Sequence, residues 1–345
     1  MRASVLVGPR QLELREIDTP TTPIDGILVR VMACGICGSD IRSFESGLRG
    51  DISEQVMGHE IAGTVEDVGP QAEGFKRGDK VAIAPDVCCG ECFYCKKGWV
   101  NLCDNHRMIG THWPGGFAQF LSVDGYMLKH GMVHHMPDEL SFVDATMSEP
   151  ASSVLACQEN INVSLGDTVA IIGDGPIGCL HIEVARARGA SRVFMSGLHR
   201  LDFAEEFHPD LLVDAGSQDP VREILNATKG LGVDHCIVAT PVADTQRQGV
   251  EIVRKRGTVV LFGGLPRTDP MTTLNGNKIH YEEIRVVGAF SYQARHHRLA
   301  LDLIRSKKIS ASKYVTRVVS LTEIEEGIRM AQQGDAMKVV VDPWR

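Results

Sequence analysis

Four cysteines crowd one short stretch of the chain: Cys89, Cys92, Cys95 and Cys103, spaced C-x2-C-x2-C-x7-C. Two-residue gaps let neighbouring thiolates converge on one ion. Four sulfurs complete the tetrahedron of zinc and leave no position open, so the lobe at about 88–104 reads as a structural zinc site. The spacing departs from the runs that hold iron–sulfur clusters, and Cys88 stands outside the pattern. A second set of donors is mixed: Cys37 in Cys34-Gly35-Ile36-Cys37-Gly38-Ser39-Asp40, His59 and Glu60 in Gly58-His59-Glu60, and Glu149 in Ser148-Glu149-Pro150. One thiolate, one imidazole and one or two carboxylates leave room for water or substrate, which is what a catalytic zinc requires.

A third constellation is built for phosphate. The apolar run 169–172 leads into Gly173-Asp174-Gly175-Pro176-Ile177-Gly178 and then a helical stretch, 179–188. This is strand, G-x-G-x-x-G, helix. Gly173 allows the tight turn, Gly175 admits a pyrophosphate to the backbone at a helix N-terminus, and Gly178 lets helix and strand pack closely. Pro176 and Ile177 complete the turn. The next strand ends Met195-Ser196-Gly197-Leu198-His199-Arg200, where a carboxylate for the ribose 2′-hydroxyl of NAD is expected. None is there. Ser196 and Gly197 leave space, and His199 and Arg200 offer positive charge, so both NADP and NAD fit the reading.

Two architectures must position these residues. Up to about residue 143, short apolar runs at 27–32, 61–68, 80–83 and 117–123 are broken by Gly, Pro and Asp, which predicts short strands with irregular connections. From 168 onward, strand-like runs at 169–172, 192–196, 211–214, 235–239, 258–262 and 285–289 alternate with helical stretches. Such alternation predicts βαβ units and a parallel sheet. The tail reads as a helix over 294–306, a strand over 315–320, a helix over 321–333 and a strand over 337–341. It is short for a domain and is expected to pack back on the first half.

Composition bounds the function. A length of 345 residues suits two domains, and a 43% hydrophobic, 23% charged chain is neither disordered nor fibrous. Lys and Arg number 36 against 44 Asp and Glu, a net charge of −8 that disfavours a nucleic-acid partner. No apolar run approaches the roughly 20 residues that span a bilayer, and the start, Met1-Arg2-Ala3-Ser4-Val5, does not read as a secretory signal. The expected location is the cytoplasm, with no membrane partner. Ten cysteines in a reducing compartment then point to metal or chemistry rather than disulfides. The pairs His134-His135 and His296-His297 are expected on the surface, and His112 and Trp113, beyond the lobe, suit either packing or a substrate wall.

Taken in order, the Cys37 and Gly58-His59-Glu60 segments, the four-cysteine lobe, Glu149-Pro150 and the turn 173–178 resemble the zinc-dependent medium-chain alcohol dehydrogenases. The likeness covers essentially the whole chain. It is greatest to the branch holding sorbitol (L-iditol), threonine and galactitol-phosphate dehydrogenases. The resemblance implies an α/β protein: a GroES-like β-rich catalytic domain at 1–151 and 290–345, and a Rossmann domain with a doubly wound parallel sheet at 152–289. It also implies two zinc ions per chain, NAD or NADP, a small-molecule alcohol substrate, and a homo-oligomer, dimer or tetramer. Cys37 and His59 look like catalytic zinc ligands, Glu60 and Glu149 like carboxylates that bind the ion or exchange with its water, and Ser39 like the hydroxyl that receives the substrate proton.

The reaction so implied is reversible hydride transfer between a secondary alcohol of the polyol class and NAD(P). A sugar-alcohol phosphate, an aldonate or a hydroxy amino acid would undergo the same chemistry. A zinc- and nucleotide-binding sensor without turnover is the reading from another class; the intact Cys37, Ser39, His59, Glu60 and Glu149 argue against it. Two positions depart from relatives. Arg42 stands where many have a histidine proton relay, and Phe290-Ser291-Tyr292 stands where the polyol branch often has an arginine for substrate hydroxyls.

Overall fold

The computed structural model describes residues 1–48, 50 and 52–345. They form two compact units, Met1–Ser152 with Tyr292–Arg345, and Ser153–Ser291; the edges expected from sequence were 151/152 and 289/290.

In the first unit, the strand Ile27–Gly35 is the hub. It pairs antiparallel with Glu60–Val68, Phe120–Val123 and Lys338–Val341. Glu60–Val68 in turn pairs with Lys80–Ala84, and that strand with Met132–His135. Val29, Val31, Ile61, Val65, Val81 and Ile83 are all buried in one apolar cluster with Val339 and Val341, so the tail does pack on the first half. The register sets the chemistry: Gly35 faces Glu60 across one ladder and Val340 across the other. Cys37, two residues past Gly35, and His59, one residue before Glu60, therefore emerge at the same end of the sheet.

The second unit holds six parallel strands in the order Leu211–Asp214, Arg192–Gly197, Thr168–Ile172, Val233–Val238, Val253–Leu261, Arg285–Gly288. This is the doubly wound Rossmann order. Every residue of Thr168–Ile172 is buried, as a central parallel strand covered on both faces must be. The strand order reverses beside this strand, and ligands of such sheets bind at that reversal. The turn Gly173–Gly178 leaves the strand there.

Several expected elements shift. The strand expected at 258–262 runs Val253–Leu261, and the helix expected at 321–333 divides into a 3-10 turn, Leu321–Glu323, and a helix, Ile324–Gln333. A larger correction concerns the histidines. His135 is exposed, but His296 and His297 are buried. Adjacent residues point to opposite faces on a strand, whereas these two lie on the amphipathic helix Ala294–Arg305, which buries them with Ala300, Leu301 and Ile304. His297 Nδ1 lies 2.9 Å from His134 Nδ1, and its Nε2 lies 2.9 Å from Ser148 Oγ.

Candidate active site

Cys37 caps the N-terminus of the helix Gly38–Ser46, and its backbone N–H donates to Asp40 Oδ2 at 2.9 Å. The other Asp40 oxygen, Oδ1, lies 3.3 Å from His59 Nδ1. Asp40 is 4% exposed. Burial opposes its ionisation, yet the neighbouring His59 and the Cys37 amide outweigh this and hold the carboxyl below its ordinary range. Burial likewise opposes charge on His59, but Asp40 and Cys37 raise it well above the ordinary imidazole value. A histidine that ligates a metal through one nitrogen usually gives the other N–H to a carboxylate, which fixes ring and tautomer. Asp40 stands where that carboxylate is needed, and His59 Nε2 is then the free nitrogen. Ser39 Oγ lies 3.3 Å from it.

The donor atoms of Cys37, His59 and Glu60 lie within 4.8 Å of one another. A thiolate, an imidazole and a carboxylate at this separation suit a mixed-ligand zinc ion. Glu60 is fully buried, and Lys338 Nζ donates to its Oε1 at 2.5 Å. Burial alone would drive the Lys338 ammonium toward neutrality, but the carboxylate outweighs it and raises its pKa. A buried pair of this kind adds little net stability, because desolvation offsets the attraction. What it does is aim the carboxylate, both of whose oxygens lie 2.5 Å from Lys338 Nζ. Sequence reasoning missed Lys338, which comes from the last strand of the chain.

Glu149, in the first turn of the helix Ser148–Asn160, lies outside the three-residue donor cluster. Its Oε1 accepts a 2.6 Å hydrogen bond from the Tyr292 hydroxyl, and both residues are buried. Burial pushes the Glu149 carboxyl up to about 7; Glu60 and Asp86 add to this, while His59 and the Tyr292 hydrogen bond oppose it. Tyr292 was visible in the sequence only as a departure from an expected arginine.

The four lobe sulfurs also lie within 4.8 Å of one another. Cys89–Cys95 and Cys92–Cys103 sulfurs are 4.0 Å apart, close to the edge of about 3.8 Å that follows from Zn–S bonds near 2.3 Å in a tetrahedron. Backbone N–H groups of Cys89, Cys92 and Cys95 point at the sulfurs of Cys103, Cys89 and Cys92 at 3.2, 3.4 and 3.5 Å. Backbone donors from Glu91 and Cys92 draw the Cys89 thiol down to about 6. The donor set fits a closed zinc site. Cys88 Sγ donates to the His130 carbonyl instead. His112 is exposed and holds the Met108 N–H, and Trp113 packs against the core.

In the second unit, Gly175 caps the helix Pro176–Arg188, with Pro176 at its first position and Ile177 and Gly178 in the first turn. A Cβ at Gly175 would meet nothing, whereas one at Gly178 would overlap the Gly173 carbonyl oxygen. The first glycine leaves a cradle at a helix N-terminus; the second permits close packing. This is the geometry that accepts a pyrophosphate. Ser196 and Gly197 are buried at the end of the adjacent strand, and Arg200 and the exposed His199 follow. Two short ties join the loops: Gly173 N–H donates to Ser196 O at 2.8 Å, and Asp174, which sequence reasoning passed over, accepts from the segment 198–200.

Comparison with known proteins agrees with this architecture. Residues 23–138 match the family model of the alcohol dehydrogenase GroES-like domain, and residues 176–306 that of zinc-binding dehydrogenases. The chain is 31% identical to D-arabitol-phosphate dehydrogenase of Enterococcus avium over 97% of its own length and 95% of the relative's. It is 30% identical to sorbitol dehydrogenase of Bacillus subtilis, over 100% and 98%. Among solved structures, a zinc-binding dehydrogenase of Sinorhizobium meliloti 1021 bound to NADP superposes with a TM-score of 0.90 at 32% identity, covering 99% of each chain. The chain therefore belongs to the zinc-dependent medium-chain alcohol dehydrogenase family, in the branch that contains sorbitol dehydrogenase, and is an oxidoreductase.

Proposed function

We propose that the protein transfers a hydride reversibly between a secondary alcohol of the polyol class and NADP or NAD. The observation that carries the reading is the cluster of Cys37, His59 and Glu60 donors, oriented by Asp40 and Lys338. In this reading the first unit is the catalytic domain and the second the cofactor domain. Cys37 and His59 would hold the catalytic zinc, with Glu60 and Glu149 as the carboxylates that bind it or exchange with its water; Cys89, Cys92, Cys95 and Cys103 would hold the structural one. A zinc ion bound in the mixed site supplies Lewis acidity, which lowers the pKa of a bound hydroxyl.

The chain's own residues do the rest. Asp40 keeps His59 in the tautomer that leaves Nε2 free. Ser39 Oγ, beside that nitrogen, takes the hydroxyl proton, and Arg42 in place of a histidine leaves water as the next carrier. Gly175, at the helix N-terminus, would hold the pyrophosphate, with Gly173 making the turn and Gly178 the close packing, and His199 and Arg200 would be the side chains offered to the 2′ position of the adenosine. A bound nicotinamide would supply the hydride acceptor, so that oxidation of the alcohol would give a ketone, the reduced cofactor and one released proton.

The similarity to D-arabitol-phosphate dehydrogenase supports a sugar-alcohol phosphate as a second substrate class. From the resemblance to its family we read the protein as a homo-oligomer, dimer or tetramer, and from its ten cysteines, none in a disulfide, as cytoplasmic. A panel of polyols, polyol phosphates and aldonates, each assayed by absorbance with NADP and with NAD, tests the function. Turnover of a polyol or its phosphate is expected; turnover confined to aldonates would move the substrate class.

A further inference from the structure

Asp174 sits between the first two glycines of the phosphate turn, yet its side chain serves another segment. Its Oδ2 accepts the backbone N–H groups of Leu198, His199 and Arg200 at 2.8, 2.7 and 2.7 Å. The residue is 7% exposed. Those amides belong to the stretch that joins the strand Arg192–Gly197 to the helix Leu201–Glu205. Gly197 makes the contact possible: a Cβ there would overlap Asp174 Cβ, Cγ and Oδ2. The glycine and the carboxylate are thus complementary, and the Gly173–Ser196 hydrogen bond reinforces the same junction.

Hydrogen bonds to an ionised acceptor are shorter and stronger than neutral ones, and removing the carboxylate would take the shared acceptor from three part-buried amides at once. In a Rossmann unit the end of the second strand meets the adenosine ribose and selects between NAD and NADP. Here the amides of 198–200 are already engaged by Asp174, so a 2′ substituent is left to the side chains of the segment.

We propose that Asp174 is a positioning residue of the cofactor site, which locks the segment 197–200 against the glycine-rich turn and so sets discrimination between a 2′-hydroxyl and a 2′-phosphate. The role rests on the reading that this unit binds NADP or NAD.

Calorimetric titration of the zinc-loaded protein with 2′,5′-ADP and with 5′-AMP tests it without turnover. In Asp174→Ala the ratio of 2′,5′-ADP affinity to 5′-AMP affinity is expected to fall about ten-fold, equivalent to about 1.4 kcal/mol. Gly197→Ala, which forces the carboxylate aside, is expected to do the same. Asp174→Asn keeps an oxygen for the amides and is expected to retain most of the ratio. These last two variants carry the test should Asp174→Ala not fold. An unchanged ratio in folded Asp174→Ala or Gly197→Ala would overturn the role. Asp174→Asn behaving like Asp174→Ala would assign the effect to charge and overturn positioning as well. Wild-type protein that binds neither fragment would instead overturn the cofactor reading, and the role with it.

Discussion

The Tyr292 hydroxyl donates to Glu149 Oε1 at 2.6 Å, between two residues 143 positions apart and both buried. This joins the helix that opens at Ser148 to the point where the chain re-enters the first unit at Tyr292. A carboxylate in that setting needs a donor, because burial without one is costly. Tyr292→Phe keeps the ring and removes only the donor. Lost hydrogen bonds to charged groups cost about 1.5–3 kcal/mol of stability, so the melting temperature is expected to fall by several degrees, and turnover is expected to fall with it because Glu149 loses the donor that orients it. Steady-state kinetics and thermal melts check it; unchanged turnover would remove Tyr292 from the working site.

Arg200 follows a strand end that has no acidic residue. If its guanidinium meets a 2′-phosphate, Arg200→Ala should weaken NADP by roughly ten-fold or more, on the scale of a lost hydrogen bond to a charged group, and NAD far less. Fluorescence titration of both cofactors measures this, and equal losses would reject the assignment.

Buried imidazoles set an acid limit. Burial pushes His297 and His181 down to about 3 and His134 down to about 4. All three stay neutral in the folded protein, while an unfolded histidine gains a proton near pH 6.5. The unfolded state therefore binds more protons on these three rings below that pH; Glu149, raised to about 7, opposes one of them down to about pH 4.5, and the net expectation is that folding stability falls as pH drops from about 6.5 toward 4. Each group contributes up to about 1.4 kcal/mol per pH unit in that window. Denaturant titrations across it should show the loss, and His181→Gln, which removes one titrating ring, should make it shallower. A flat profile would contradict the neutral pairing of His134 with His297.

The parts of the site that could be read from sequence are those made locally. The lobe cysteines and the turn 173–178 owe their geometry to spacing within a few residues, and the alternation after 168 dictates the parallel sheet. Cys37 and His59 are brought together by one ladder, in which Gly35 faces Glu60. What escaped came from elsewhere in the chain. Lys338 reaches Glu60 across 278 positions, and Tyr292 reaches Glu149 across 143; neither partner leaves a local pattern. His297 is buried because it lies on the apolar face of a helix, where adjacent residues can share a face. Asp174 sits inside a motif defined by its glycines, and its partners are amides, which no side-chain pattern reveals.

The most direct test of the mixed zinc site combines metal analysis with turnover. Wild-type protein should carry two zinc ions per chain. His59→Ala should carry one, still bind cofactor, and show no turnover, while Cys103→Ala should lose the lobe ion and melt at a lower temperature. A His59→Ala protein that keeps two ions, or that still oxidises its alcohol, would contradict zinc-assisted hydride transfer at this site.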